Sequence, residues 1–197
     1  MIAVIDYNAG NIRSVLYALD RLNADYQLTA DHQQIRAADK VIFPGVGAAG
    51  SAMAHLRKTG LDEVIKGLQQ PTFGVCVGMQ LLCNYSEENA TDCLGIFPES
   101  VRKFQPQQGE KVPHMGWNTI ELSDNNDWVS PELNGQYCYY VHSYYVESSP
   151  YCSATTNYCG RFSAMLHKDN FYAAQFHPEK SARAGERILQ DFLQLGH

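Results

Sequence analysis

The sequence has few charged residues and no cluster of basic ones. Charged residues make up 18% of its 197 residues, the formal net charge is −6, and no run of lysine or arginine occurs. Proteins that bind nucleic acid or an anionic membrane surface carry such clusters as an electrostatic footprint. The composition therefore argues against both of these functions.

Long apolar runs and metal-binding spacings are also missing. No uncharged apolar segment approaches the roughly 18 residues of a membrane-spanning helix. The first residues, MIAVID, have no basic flank, which predicts a buried strand and not a signal peptide. Six cysteines are scattered irregularly, without a Cys-x-x-Cys pair, and no two histidines lie four positions apart. These patterns predict reduced thiols, a cytoplasmic location and no metal site.

The hydrophobic pattern predicts an α/β fold with a doubly wound, mostly parallel central sheet and helices on both faces. After residue 94, aromatic and β-branched segments predict that additional antiparallel strands join this sheet in the C-terminal half. No linker or repeat divides the chain, so residues 1–197 are predicted to form one domain. The predicted strands are 2–6, 26–29, 40–43, 72–75, 100–104, 117–122, 136–146, 151–158 and 163–175. The predicted helices are 11–23, 50–58, 61–69, 78–85 and 181–195.

One cysteine stands where a predicted strand meets a predicted helix, in FGVCVGMQLL at 73–82. Cys76 lies between Gly74 and Gly78, a pattern typical of a nucleophile on a sharp turn. The helix that follows favours the thiolate over the thiol. A buried, inert thiol is the more common fate of a lone cysteine, and it is what we predict for Cys83 and Cys93.

Two further segments have the composition of catalytic partners. QFHPEK at 175–180 holds His177 and Glu179 two residues apart, and Pro178 between them predicts an extended segment. PGVG at 44–47 follows a predicted strand, and its glycines allow peptide N–H groups to turn toward an oxyanion. Taken singly, a solvated turn and an ordinary glycine turn are the more probable interpretations. With Cys76, the segments indicate a Cys–His–Glu relay.

Together the three segments resemble the class I (triad-type) glutamine amidotransferases, whose elbow is Gly-x-Cys-x-Gly-x-Gln and whose relay is His-x-Glu. IDYNAGNIRSV at 5–15, HMGWN at 114–118 and YYVHSYY at 139–145 resemble one branch, the glutaminase subunits of imidazole glycerol phosphate synthase in histidine biosynthesis. The resemblance extends from residue 2 to about residue 193. Asn8 stands where the family commonly has glycine, and Ala49 where it often has an aromatic residue.

The resemblance implies glutamine hydrolysis through a γ-glutamyl thioester, without a cofactor or metal. Cys76 is then the nucleophile, His177 shuttles the proton and Glu179 orients the imidazole. The backbone N–H groups implied to hold the oxyanion are those of Val77, Val46 and Gly47. The residues implied to bind glutamine are Gln80, Ser143 and Tyr144, although Gln80 as a helix cap and Tyr144 as a core residue are the simpler alternatives.

The resemblance also implies a partner, a (β/α)8-barrel cyclase subunit with which the chain forms a heterodimer. Ammonia released into neutral water is mostly protonated, so a glutaminase that feeds a synthesis has to dock against its acceptor enzyme. The positions implied at this interface are Asn11, Trp117, Tyr139 and Lys180, of which Trp117 as a core residue and Lys180 as an ordinary surface charge are the alternatives. The family's weak glutaminase activity before the synthase site is occupied makes the Gly45–Gly47 segment the expected switching element.

Two other functions stay open at this point. Another class I amidotransferase, serving anthranilate, aminodeoxychorismate or pyridoxal phosphate synthesis, shares the relay and differs in its partner. A cysteine hydrolase or peptidase on a related sheet uses an elbow cysteine on other amides. Gln80 and the His-x-Glu pair argue against the hydrolase, and HMGWN with VHSYY argues against the other amidotransferases.

Overall fold

The first half of the chain alternates strands with helices. The computed structural model describes residues 1–7, 12–106 and 109–196. The strands of this half are β1 (Ile2–Ile5), β2 (Tyr26–Thr29), β3 (Lys40–Phe43) and β4 (Thr72–Val75). Its helices are α1 (Arg13–Arg21), α2 (His32–Ala37), α3 (Ala49–Thr59), α4 (Leu61–Lys66) and α5 (Val77–Leu82).

The second half consists mostly of strands and closes with one long helix. Its short strands are β5 (Tyr85–Ser86), β6 (Thr91–Asp92), β7 (Ser100–Lys103), β8 (His114–Thr119) and β9 (Glu121–Leu122). They are followed by β10 (Tyr137–His142), β11 (Tyr144–Val146), β12 (Cys152–Asn157), β13 (Arg161–Lys168), β14 (Phe171–Ala174) and helix α6 (Ala182–Gln194).

Twelve of the strands form one sheet whose central part is parallel. Its order is β2-β1-β3-β4-β14-β13-β11-β7-β5-β6, with β12 and β9 attached beside β13. The first five strands of that order run parallel, and β13, β11 and β7 continue it in antiparallel pairs. Strands β1, β3, β4 and β14 are buried along their whole length, as parallel strands covered on both faces must be. The predicted α/β class with a mostly parallel sheet is confirmed.

Strands β7, β11 and β13 of the second half join the main sheet in antiparallel pairs, as predicted, whereas β8 and β10 form a separate two-stranded ribbon. The apolar run 136–146 is interrupted at Ser143, and its two parts pair with different neighbours. Burial alternates along β10, which suits a ribbon that packs on one face only. We name β8 and β10 together the ribbon.

Helix α2 is absent from the predicted elements. Its six residues are mostly polar, and its clearest signal is the N-cap Asp31, whose carboxylate accepts the backbone N–H groups of Gln33 and Gln34 at 3.0 and 2.8 Å. Such a cap satisfies N–H groups that the first helical turn leaves free. A short capped helix on the surface therefore forms without an apolar stripe.

The parallel strands bring three motifs to one edge of the sheet. β3, β4 and β14 are adjacent and run in the same direction, so their carboxyl ends lie side by side. PGVG follows β3, Cys76 follows β4, and QFHPE follows β14. Ligand sites of open α/β sheets form at this edge.

No helix among the described residues has the length and apolar character that crossing a membrane requires. The single domain over residues 1–197 stays a prediction.

Candidate active site

Cys76 occupies a strained turn between β4 and α5. Its φ is 54° and its ψ −111°, a conformation that L-residues rarely adopt and that costs about 1–3 kcal/mol. Gly78 makes the turn possible, because a Cβ there would lie 2.0 Å from the carbonyl oxygen of Phe43. The backbone therefore presents the sulfur at the mouth of a cavity. By contrast, burial raises the pKa of the Cys83 and Cys93 thiols, that of Cys93 to about 12.

His177 and Glu179 form a buried pair next to this turn. The His177 Nδ1 lies 2.9 Å from Glu179 Oε1, and the two side chains are 6% and 5% exposed. Because a carboxylate only accepts, Nδ1 carries the proton and Nε2 is left for the sulfur. The predicted extended segment is wrong, since Pro178–Lys180 is a 3₁₀ turn. Proline suits its first position, where no backbone N–H is needed.

The imidazole of His177 and the thiol of Cys76 line the same cavity. Burial by itself lowers the pKa of His177, but its interactions with Cys76 and Glu179 raise it to about 10. The imidazolium is therefore favoured at neutral pH. A Cys76 thiolate facing a His177 imidazolium is the form of the pair ready for nucleophilic attack.

The segment 45–47, which is predicted to hold the oxyanion, is in a closed arrangement. The Val77 N–H donates to the carbonyl oxygen of Gly45 at 3.3 Å, so this donor is occupied by the protein itself. Gly47 has a φ of +99°, and a Cβ at Gly45 would lie 2.5 Å from the Gly78 nitrogen. Val46 and Gly47 line the same cavity as Cys76. Glycine is therefore required at 45 by close packing and at 47 by conformation.

A cavity of about 390 Å³ opens beside Cys76. Its volume lies in the range of small-ligand sites. It brings together Cys76 and His177 with all six residues predicted to hold the oxyanion and the substrate. The residues of this wall that were predicted from the sequence are Cys76, His177, Val46, Gly47, Val77, Gln80, Ser143, Tyr144 and Lys180.

Gln80 is buried and is held by two acceptors. Its Nε2 donates to the Tyr144 carbonyl at 3.0 Å and to Gln175 Oε1 at 2.9 Å. Both N–H groups of this amide are thus engaged within the protein, and the side chain is 3% exposed. Gln80 is not a solvated helix residue, and it faces the cavity from a fixed position.

Two buried histidines support the Tyr144 carbonyl from behind. His142 Nδ1 lies 2.7 Å from that oxygen, and its Nε2 lies 2.9 Å from His114 Nδ1. Since the carbonyl only accepts, His142 carries its proton on Nδ1, and His114 donates to His142. Burial lowers the pKa of His142 to about 3 and that of His114 to about 4, so both rings are neutral at pH 7.

Three polar residues of the site are missing from the sequence-based predictions: Glu88, His142 and Gln175. Glu88 lines the cavity, and its Oε2 accepts the Ala49 N–H at 2.7 Å. No spacing marks Glu88, since its partner lies 39 residues earlier. Gln175 stands inside the QFHPEK segment, and His142 inside YYVHSYY, so both motifs contained a signal beyond the residues that were chosen.

The predicted interface residues lie on the ribbon and at the cavity rim. Trp117 is 52% exposed and meets Tyr139 edge to face, with 5.7 Å between ring centroids. Trp117 is therefore not a core residue. Lys180 lines the cavity. Asn11 lies outside the described residues.

Comparison with known proteins bears on the family of the chain. The family model for "Glutamine amidotransferase class-I" matches residues 3–195. The "Imidazole glycerol phosphate synthase subunit HisH" of Bacteroides thetaiotaomicron is 56% identical over 195 residues, covering 98% of this chain and 99% of the relative. That of Idiomarina loihiensis is 42% identical over 194 residues, covering 98% and 97%.

The chain belongs to the class I glutamine amidotransferases, in their HisH branch. The resemblance predicted from the motifs is confirmed, and the chain is an enzyme subunit.

Solved structures extend the class I amidotransferase fold to distant sequences. A crystal structure of a glutamine amidotransferase matches with a TM-score of 0.75 at 16% identity, covering 98% of both chains. A glutamine amidotransferase of Thermotoga maritima matches with a TM-score of 0.64 at 17% identity, covering 98% of this chain and 81% of that one. At these identities the likeness shows the shared fold alone.

Proposed function

We propose that this chain is the glutaminase subunit of imidazole glycerol phosphate synthase and hydrolyses L-glutamine to L-glutamate and ammonia. The observation that carries the proposal is the buried series Cys76–His177–Glu179 at the wall of a cavity of about 390 Å³. The HisH relatives at 42–56% identity support the synthase.

The hydrolysis follows from the charges of the triad. The Cys76 thiolate attacks the carboxamide carbon of glutamine, and His177 Nε2 gives its proton to the leaving nitrogen, which departs as ammonia. Water then adds to the thioester while His177 takes a proton from it, and the thiolate leaves with glutamate released. Glu179 stabilises the imidazolium and holds the tautomer in both steps.

Charged and polar groups of the cavity suit the amino-acid end of glutamine. Glu88 supplies a carboxylate for the α-ammonium group. Ser143, Tyr144 and Gln80 offer backbone and side-chain groups for the α-carboxylate and the carboxamide. A cavity with few polar groups around a mostly apolar wall is the usual form of a specific small-molecule site.

The closed oxyanion segment supports a switch. A turn of the Gly45–Val46 peptide would withdraw the Gly45 carbonyl from the Val77 N–H and point the Val46 N–H into the cavity. Two donors would then face the tetrahedral intermediate, and each such donor contributes about 10²–10³-fold in rate. Glycine at 45 and 47 lowers the cost of that turn.

The partner follows from the fate of ammonia. We infer a heterodimer with the (β/α)8-barrel cyclase, which takes up ammonia and converts phosphoribulosyl-formimino-carboxamide ribotide (PRFAR) to imidazole glycerol phosphate and AICAR. Trp117 and Tyr139 on the ribbon, with Lys180 at the cavity rim and Asn11, would meet that partner. A cytoplasmic location is inferred because the mechanism needs a reduced Cys76.

Glutamate release from glutamine tests the proposal, measured with the chain alone and with the cyclase and its ribotide ligand. Cys76→Ala should abolish glutamate formation and leave cyclase binding intact by calorimetry. Cys93→Ala, a thiol outside the cavity, is the matched control and should keep activity. Glutamate formation by Cys76→Ala would refute the mechanism. Equal turnover by the isolated chain and the ligand-loaded complex would refute the switch.

A further inference from the structure

Gln175 stands between the nucleophile and the glutamine site. It directly follows β14, and its backbone N–H donates to the Ala164 carbonyl at 2.9 Å, which fixes it to the neighbouring strand β13. Its side chain is fully buried. The amide Nε2 lies 3.8 Å from Cys76 Sγ, and Oε1 accepts from Gln80 Nε2 at 2.9 Å.

The orientation of this amide is set by its neighbours. The Tyr144 carbonyl only accepts, so Gln80 must present its Nε2 there. The second N–H of the same nitrogen then faces Gln175 and requires an acceptor, which is Oε1. Gln175 Nε2 is consequently the atom that faces the sulfur. His142 donates to the same Tyr144 oxygen and holds this starting point in place.

An N–H donor next to the Cys76 sulfur affects both the charge state and the position of that sulfur. A donor stabilises a thiolate more than a thiol, because hydrogen bonds to charged groups are the stronger ones. Cys76 Sγ then has the Gln175 N–H as a hydrogen-bond donor, in addition to the charge of the His177 imidazolium. The Val141 carbonyl, 4.0 Å away, attracts only the protonated thiol.

We propose that Gln175 is a positioning residue that favours the Cys76 thiolate and ties the sulfur to the glutamine-binding Gln80. One rigid amide thereby fixes the distance between the attacking atom and the site of the substrate. Holding the reacting groups in the correct relative geometry accounts for a large part of the rate acceleration by an enzyme. The first part of this inference, the thiolate half, is the effect of Gln175 on the charge of Cys76, and it does not depend on the proposed function. The second part, the substrate half, is the link through Gln80 to glutamine, and it rests on the proposed glutaminase function.

Site-specific alkylation tests the thiolate half. Iodoacetamide labelling of the Cys76 peptide is followed by mass spectrometry as a function of pH, in the full chain without substrate. In Gln175→Met, which keeps length and volume but has no N–H, the midpoint should rise by about one pH unit, and at pH values below the wild-type midpoint the rate should fall about tenfold. Gln175→Asn keeps polarity but shortens the reach, so it should shift the midpoint in the same direction.

The KM for glutamine tests the substrate half of the inference. Gln175→Met removes one of the two acceptors of Gln80, so the KM for glutamine should rise several-fold in the cyclase complex along with the fall in kcat. Thr72→Val is the matched control: it removes a buried hydroxyl, bonded to the Gln70 carbonyl, at the far end of β4. It should lower the melting temperature and leave KM and the alkylation midpoint unchanged.

Each outcome decides a separate point. Wild-type alkylation midpoints in both Gln175 variants would overturn the inference, even with a lowered melting temperature. A raised midpoint with an unchanged KM would overturn the link to Gln80 only. Failure of the wild-type complex to release glutamate would refute the proposed function and leave the alkylation result standing.

Discussion

Gly185 in helix α6 should be as necessary to catalysis as residues inside the cavity. A Cβ at this position would lie 1.8 Å from the Pro178 carbonyl oxygen and 2.8 Å from Ser181 Cβ. Pro178 belongs to the 3₁₀ turn that holds the His177–Glu179 pair. Gly185→Ala therefore cannot be accommodated unless the helix or the turn moves.

The size of that movement gives the expected effect. Real Cβ contacts stay beyond 3.0 Å, so the two atoms must separate by at least about 1.2 Å. Misplacement of catalytic groups by about 1 Å costs about 10²-fold in rate. Overpacking of this kind costs about 1–3 kcal/mol of stability, or about 2–12 °C in melting temperature for a chain of this length.

The assay is glutamate release by the cyclase complex together with thermal unfolding of the isolated chain. Gly196→Ala, where the added Cβ meets no atom within 4 Å, is the matched control and should match wild type in both. Wild-type kcat in Gly185→Ala would refute the reasoning. A lowered melting temperature with unchanged kcat would show that helix α6 shifts to accommodate the added methyl group, while the 3₁₀ turn at Pro178–Lys180 keeps its position.

Further predictions concern charge and contact. Glu179→Gln removes the charge that stabilises the His177 imidazolium, so kcat should fall by about 10²–10⁴-fold; a loss below threefold would contradict its role. Glu88→Gln should raise the KM for glutamine about tenfold or more, with kcat little changed; an unchanged KM would contradict the contact between Glu88 and the α-ammonium group of glutamine. The raised pKa of His177 stabilises the fold fully below about pH 6.5, the ordinary value, and this contribution is lost as pH rises through about 10. The difference in melting temperature between wild type and His177→Gln should therefore shrink from pH 7 to pH 10, and a constant difference would count against the ion pair. Trp117→Ala should weaken cyclase binding by about 2 kcal/mol, roughly 30-fold, and leave Cys76 alkylation unchanged; wild-type affinity would place the interface elsewhere.

The central sheet was predictable because its strands are buried on both faces. Residues 40–43 and 72–75 are short apolar runs bounded by turn residues, and the structure begins and ends β3 and β4 at those positions. The ribbon was not predictable, because the apolar run 136–146 does not show which strands its two parts pair with. Pairing is decided by tertiary packing, which no local pattern contains.

The three triad residues could also be predicted from local sequence patterns, whereas the residues that contact and position them could not. Cys76, His177 and Glu179 each stand in a short motif with unusual neighbours. Gln175 and Gln80 are 95 positions apart, and Glu88 meets Ala49 across 39. These contacts exist only because β4 and β14 are adjacent and because the segment after β5 returns to the cavity. Their chemistry becomes visible once the sheet is assembled.

A strained residue and an occupied donor meet at the proposed switch. Cys76 holds a positive φ, and the Val77 N–H bonds a carbonyl in place of an oxyanion. The Tyr7 hydroxyl is buried and has no hydrogen-bond partner within the part of the chain that the structure describes, and it lies 2.7 Å from the point where a Cβ of Gly45 would lie. A buried unpaired hydroxyl costs about 1–3 kcal/mol, so the closed arrangement carries a cost of this size. For a segment with two arrangements, about 1.4 kcal/mol of differential binding changes their ratio tenfold. We therefore expect a partner that docks against the ribbon and rim, and that binds the open arrangement more tightly, to shift the segment toward the proposed oxyanion site.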